Sequence, residues 1–234
     1  MRGKLTVLLA LLCLSLGLRA QRTALDLRLG GGHNYAYGLY GTAAVLLERH
    51  PSSGISYHVG ATGCSAGEWA AAAGVGLAVP CGNIEVRFDY RALWRRFAQW
   101  NIDELSGGAL VGLQWRGWRL MLGLADRMVA PAGVDWLGES MDWVAEPLNL
   151  MYELCYSFAL GNGPWRGEVR LADYDDFVTD RAYQPIVSLR CARRLADRGE
   201  VYLRCLLHPT GMLSLSANYY EAAIIGGFTF NFQK

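Results

Sequence analysis

The chain has 234 residues, of which 52% are hydrophobic and only 18% charged, with a formal net charge of +1. A charged fraction below the usual ~25% in so apolar a chain excludes a disordered protein, and near neutrality leaves no basic footprint for nucleic acid. Beyond the N-terminus no stretch approaches the ~20 apolar residues of a spanning helix.

The first element is an address. Arg2 and Lys4 precede an almost unbroken apolar run from Leu5 to Leu18, with a cleavage point at Ala20-Gln21. The run is too short for an anchor and polar sequence follows at once. Residues 1–20 are therefore expected to be a secretory signal peptide, and residues 21–234 the exported unit. Loss of Arg2, Lys4 and Arg19 from the 22 basic residues leaves 19 against 21 acidic ones, with Lys234 the only lysine.

From Ala24 onward apolar residues recur at every second position, the period of a strand with two unlike faces. Leu25, Leu27 and Leu29 alternate with Asp26 and Arg28. Trp69, Ala71, Ala73, Val75, Leu77 and Val79 share one face, and Ile84, Val86, Phe88 and Tyr90 alternate with Glu85, Arg87, Asp89 and Arg91. Leu148, Leu150, Tyr152, Leu154, Tyr156, Phe158 and Leu160 are apolar at seven successive alternate positions. Trp165, Val169 and Leu171 interleave with Arg166, Glu168 and Arg170, and Val201, Leu203, Cys205 and Leu207 oppose Glu200 and Arg204. Phe228, Phe230 and Phe232 close the chain. Between the turn signals about twelve strands are predicted: 24–30, 37–49, 55–63, 68–79, 84–94, 107–115, 118–126, 147–160, 165–173, 184–194, 200–207 and 220–232. The longer connections are expected at 95–104, 126–146, 173–183 and 208–219. The second of these, with Met128, Trp136, Met141 and Trp143, reads as an apolar lid or an inward-folding segment.

A soluble sandwich would show the same raw alternation. Three features favour an all-β, closed antiparallel transmembrane barrel of about twelve strands, with short periplasmic turns and longer external loops. Many strands reach the ~9–11 residues that cross a bilayer at a tilt. Trp69, Trp115, Trp118, Trp165, Phe228 and Phe232 stand at strand ends, where interface girdles belong. Short and long connections alternate, and closure satisfies every backbone group within lipid. With this signal peptide, these strands and the terminal Gly227-Phe228-Thr229-Phe230-Asn231-Phe232, residues 21–234 resemble Gram-negative outer-membrane β-barrel proteins. The resemblance implies a place in the cell outer membrane, contact with its lipid, and assembly by the barrel-assembly machinery through the last strand. It implies no cofactor and no metal.

If the apolar face meets lipid, Glu85, Arg87, Asp89, Arg91, Arg119, Glu153, Arg166, Glu168, Arg170, Arg190, Glu200 and Arg204 point inward. Signs are interspersed, so the expectation is a lumen filled with ion pairs, with an anion-attracting Arg-lined pore as the alternative. The expected function is that of a non-enzymatic outer-membrane protein with a structural role or a narrow, selective transport role.

Enzymatic alternatives rest on Ser65 and His58. Gly63-Cys64-Ser65-Ala66-Gly67 matches a nucleophile elbow, and with Gly30-Gly31-Gly32 it is similar to patatin-like lipases. That family's Asp-Gly pair is absent, and the strand alternation through Val79 explains the same residues as a hairpin. An outer-membrane lipid-modifying acyl hydrolase would need a Ser beside a His. His50 and His208 precede prolines and read as solvated turn residues, while His58 reads as a lumenal histidine. The most distinctive polar segment holds Asp173, Asp175, Asp176, Arg181 and Tyr183. Its carboxylates are hard-oxygen donors for Ca²⁺, but without EF-hand spacing it reads as an exposed acidic loop. The five cysteines beyond residue 20 are an odd number without a C-x-x-C, so complete internal pairing is excluded. Cys191 and Cys205 are expected as neighbours on the lipid face.

Overall fold

The computed structural model describes residues 23–49, 54–131, 144–179, 184–195, 198–209 and 219–232. The signal-peptide segment and the core of the predicted lid lie outside the described residues. Fourteen strands follow in chain order: β1 (Thr23–Asn34), β2 (Gly38–Arg49), β3 (Gly54–Cys64), β4 (Glu68–Cys81), β5 (Ile84–Phe97), β6 (Ile102–Trp115), β7 (Trp118–Pro131), β8 (Val144–Ala159), β9 (Trp165–Ala172), β10 (Tyr174–Asp175), β11 (Val178–Thr179), β12 (Ile186–Arg194), β13 (Gly199–Pro209) and β14 (Tyr219–Phe232). Twelve of them form one closed antiparallel barrel, in which β9 pairs with β12 and β14 returns to β1. The closing seam runs from Thr23 opposite Phe232 to Asn34 opposite Glu221, so no edge is left open. β10 and β11 form a separate two-stranded hairpin.

Because side chains alternate across a strand, the register sorts the chain into two surfaces. Leu29, Val75, Leu77, Phe88, Leu122, Leu150, Leu203 and Ile224 all stand exposed on the outside. So continuous an apolar exterior has no stable place in water and requires lipid. The even strand count puts residues 23 and 232 at the same end, here the terminal end. Connections at this end are short. Arg116 and Gly117, both with positive φ (46° and 89°), form the two-residue turn between β6 and β7 that matches the twist of a hairpin.

Two expectations about connections change. The segment 95–104 is no long loop: β5 runs on to Phe97 and β6 begins at Ile102, because Arg95 faces Glu104 and Arg96 faces Asp103 across the ladder. Segment 126–146 likewise shortens to 132–143 as β7 reaches Pro131 and β8 starts at Val144. The ladder slips between Ala125 and Arg127, and the irregularity is capped by Asp126, whose carboxylate accepts the Leu148 N–H at 2.9 Å.

Candidate functional site: the lumen and its inward hairpin

The main feature of the interior is a hairpin that sequence alternation places outside. β9 ends at Ala172, and the next residue, Asp173, is fully buried with its carboxylate accepting the N–H of Tyr152 on β8 at 2.8 Å, in place of a backbone carbonyl from a continued β9. From there the chain leaves the wall and turns inward. Tyr174 packs with Leu110, Met121, Ala125, Met151 and Ala172, all on β6 to β9. Phe177 packs with Leu46, Ala70, Ala72 and Leu93 on β2, β4 and β5. The hairpin thus rests on two different arcs of wall, and small inward residues on β4 make room for its aromatic ring. This corrects the reading of 173–183 as an exposed acidic loop: its aromatics find apolar wall and its carboxylates find arginines. Arg181 and Tyr183 lie outside the described residues.

Arginines fasten the hairpin. Arg28 Nη1 donates to Asp176 Oδ2 at 2.6 Å, and Arg204 Nη1 to Asp175 Oδ2 at 2.8 Å. Arg170 Nη1 lies 3.5 Å from Asp175 Oδ1, and Arg91 donates to the Asp175 carbonyl. The Arg91 and Arg170 guanidiniums also lie over the Tyr174 ring, at 4.6 and 4.8 Å from its centre. The two hairpin carboxyls belong to a connection, not to a spanning strand. Burial pushes both up, but Arg204 beside Asp175 and Arg28 beside Asp176 outweigh it and hold both below the usual carboxylate range. Asp173, Asp175 and Asp176 are therefore spent on a backbone amide and on guanidiniums, not pooled toward a cation.

On the terminal side of the hairpin lies a vestibule of about 880 Å³, floored by Tyr174, Asp175 and Asp176. Nine arginines and eight carboxylates line it. Glu153 Oε2 accepts from Arg170 Nε at 2.8 Å, and its other oxygen accepts from Arg119. Arg190 pairs with Glu200 and lies over the Tyr202 ring at 4.0 Å. Arg87 donates to Gln114 at 3.1 Å and sits 3.6 Å from Glu85 and 4.0 Å from Asp89. Glu168 stands opposite Arg190 in the register and accepts from Ser157 at 3.4 Å. Arg166 lines the vestibule near its mouth.

Beyond the hairpin, toward the other end, is a ladder absent from the sequence reading. Arg95 Nε donates to Glu68 at 3.1 Å and Arg127 Nη2 to Glu104 at 2.8 Å, while Arg127 Nη1 reaches Glu146 at 3.5 Å. Arg28, Tyr174 and Phe177 were likewise not singled out. Arg28 carried a signal, the alternation of β1, whereas nothing local marks two loop aromatics as buried.

Ser65 and His58 do not converge. Ser65 sits in the turn 65–67 between two strands, not between a strand and a helix, and its hydroxyl accepts the Gly41 N–H at 2.9 Å. His58 lies seven positions back along the chain, roughly 20 Å at the rise of a strand. Its ring faces the lumen over Gly74, where any Cβ would run into it. Gly30-Gly31-Gly32 lies inside β1, not in an oxyanion loop. His208 is buried on β13 opposite Glu221, which corrects its reading as a solvated turn residue: the strand continues through Pro209. Cys191 and Cys205 are diagonal neighbours on the outer face, Cys191 standing opposite Leu203 and Cys205 opposite Leu189.

An unbroken antiparallel ring with an apolar outside and an ionic inside defines an outer-membrane-type β-barrel protein. Solved structures with this fold include the KdgM porin in complex with disordered oligogalacturonate. It matches with a TM-score of 0.57 at 6% identity, covering 90% of this chain and 99% of that one. The KdgM porin alone gives 0.55 at 7% identity over 90% and 99%, and the NanC porin gives 0.49 at 11% over 89% and 100%. No protein-family model and no curated protein matches the chain. At these identities the likeness is one of fold.

Proposed function

We propose that the protein is a non-enzymatic, narrow and selective channel of the outer membrane, with the hairpin 173–179 as its constriction. One observation carries this reading: an ion-lined vestibule of about 880 Å³ leads from one end of the barrel to a hairpin braced on two arcs of the wall. A barrel meant only to be filled would not need to keep such a space. The shared fold of a porin that holds an oligogalacturonate supports transport as the use of this architecture. In this reading residues 1–20 direct export, β14 with outward Phe228, Phe230 and Phe232 is the strand read by the assembly machinery, and the terminal end faces the periplasm.

The lumenal pairs Glu85–Arg87–Asp89, Arg119–Glu153–Arg170 and Arg190–Glu200 hold the wall in shape. Nearly balanced charge leaves little net field, so bore and local arginines select the solute. Planar-bilayer recordings test the proposal. The intact protein is expected to give small unitary steps, and replacing residues 174–179 by a Gly-Ser linker is expected to raise them several-fold. Silence from both proteins would overturn the channel reading.

The constriction should also be insensitive to mild acid. A carboxyl held below its unfolded value, about 3.9 for Asp, contributes stability above that value and loses it only as pH falls through the lower folded one. Conductance is thus expected to be flat from pH 7 to pH 5. A rise within that window would mean that Asp175 and Asp176 do not hold the hairpin.

A further inference from the structure

The outer rim at the terminal end carries an arc of aromatic and arginine side chains that the lumen does not use. It crosses β6, β7, β8, β9 and β12. Trp118 lies against Tyr156 with ring centres 4.5 Å apart, and Tyr156 stacks on Phe158 at 5.8 Å. Gly167 on β9 lets the Phe158 ring lie flat on the backbone, where a Cβ would collide with it. At either end of the arc an exposed arginine lies over a tryptophan, Arg116 over Trp115 at 5.0 Å and Arg193 over Trp165 at 5.7 Å.

Among the described residues neither guanidinium has a carboxylate partner, and no acidic side chain of those residues faces outward at this end. At the opposite end the outward charge is matched instead, Arg96 lying 3.4 Å from Asp103. Aromatic rings hold the two guanidiniums at the level where an apolar band meets headgroups, with their donor edges left for an acceptor. A lipid phosphate supplies both the charge and the pair of acceptor oxygens that such a fork takes.

We propose that this arc is a binding site for anionic phospholipid headgroups, with Arg116 and Arg193 as its two phosphate contacts. The occupant is the lipid and not free phosphate, because the same arc offers the acyl chains a continuous aromatic bed. Native mass spectrometry of the full barrel, released from detergent with equal phosphatidylglycerol and phosphatidylcholine, reads the preference directly. The wild type is expected to retain phosphatidylglycerol about tenfold over phosphatidylcholine, and Arg116→Gln with Arg193→Gln should abolish the difference. Equal retention of the two lipids by the wild type would overturn the proposal, as would an undiminished preference in the variant.

Should the double variant fail to show heat-modifiable migration, the wild type still decides the matter. Its preference should fall several-fold as salt is raised, and a preference indifferent to salt would refute a charge-based site. Inorganic phosphate at millimolar concentration should leave the bound lipid in place, and its displacement would show a free-phosphate site instead.

Discussion

Replacing Asp175 and Asp176 together by Asn is expected to widen the lumen and make it anion-selective. The two carboxylates meet Arg28, Arg204 and Arg170 at 2.6, 2.8 and 3.5 Å, so their loss strips Arg204 of its carboxylate and leaves Arg28 with Asp26 and Arg170 with Glu153 as their remaining close counter-charges. The vestibule, lined by nine arginines and eight carboxylates, would keep only six of the latter. Repulsion would loosen the hairpin, and the excess positive charge would draw anions into the opened space. A several-fold rise in unitary conductance and a reversal potential shifted toward the anion in a KCl gradient are the expected readings. The Asp176 side chain keeps 36% of its surface exposed, so part of its attraction to Arg28 is screened. Asp176→Asn alone should therefore act more weakly than the pair. An unchanged reversal potential in the double variant would show that the arginines do not face the conducting path.

The second large effect is on stability. Glu153 is 3% exposed, and Arg119 and Arg170 both depend on it. Tyr174 of the hairpin also lies within hydrogen-bonding reach of it. Removing one member of a buried ion network costs about 3–5 kcal/mol in a dry interior, because the partners stay buried without compensation. Arg119 keeps access to the vestibule, which lowers the cost. Glu153→Ala should therefore destabilise the folded barrel by on the order of 2–3 kcal/mol, measured by urea titration in lipid vesicles. Glu168→Ala removes an acid whose hydrogen bond is a 3.4 Å contact from Ser157, and should cost less than about 1 kcal/mol. Equal losses in the two variants would contradict a network centred on Glu153.

The barrel was legible because its signal is local. Each strand declares itself by a period of two, and the identity of the alternating sets tells lipid from lumen, as with Phe88 and Tyr90 against Arg87 and Asp89. The predicted β5 nevertheless ended three residues early, since Arg95-Arg96 and Asp103-Glu104 look like polar loop sequence. Only their cross-strand pairing shows them to be ladder. Ser65 shows the converse, a motif whose chemistry depended on a following helix that the strand alternation already denied.

What sequence alone determined was the wall: alternation sets which side chains face lipid, strand length matches the bilayer, and an even number of strands brings both ends of the chain together. The tertiary structure decided what stands inside that wall. Asp176 and Arg28 are 148 positions apart, and the walls gripped by Phe177 and Tyr174 come from seven different strands. No window of sequence contains those partners. Closure of the ring brings them together, and in that enclosed space a connection rich in carboxylates and aromatics is stabilised more by arginines and apolar wall than by water.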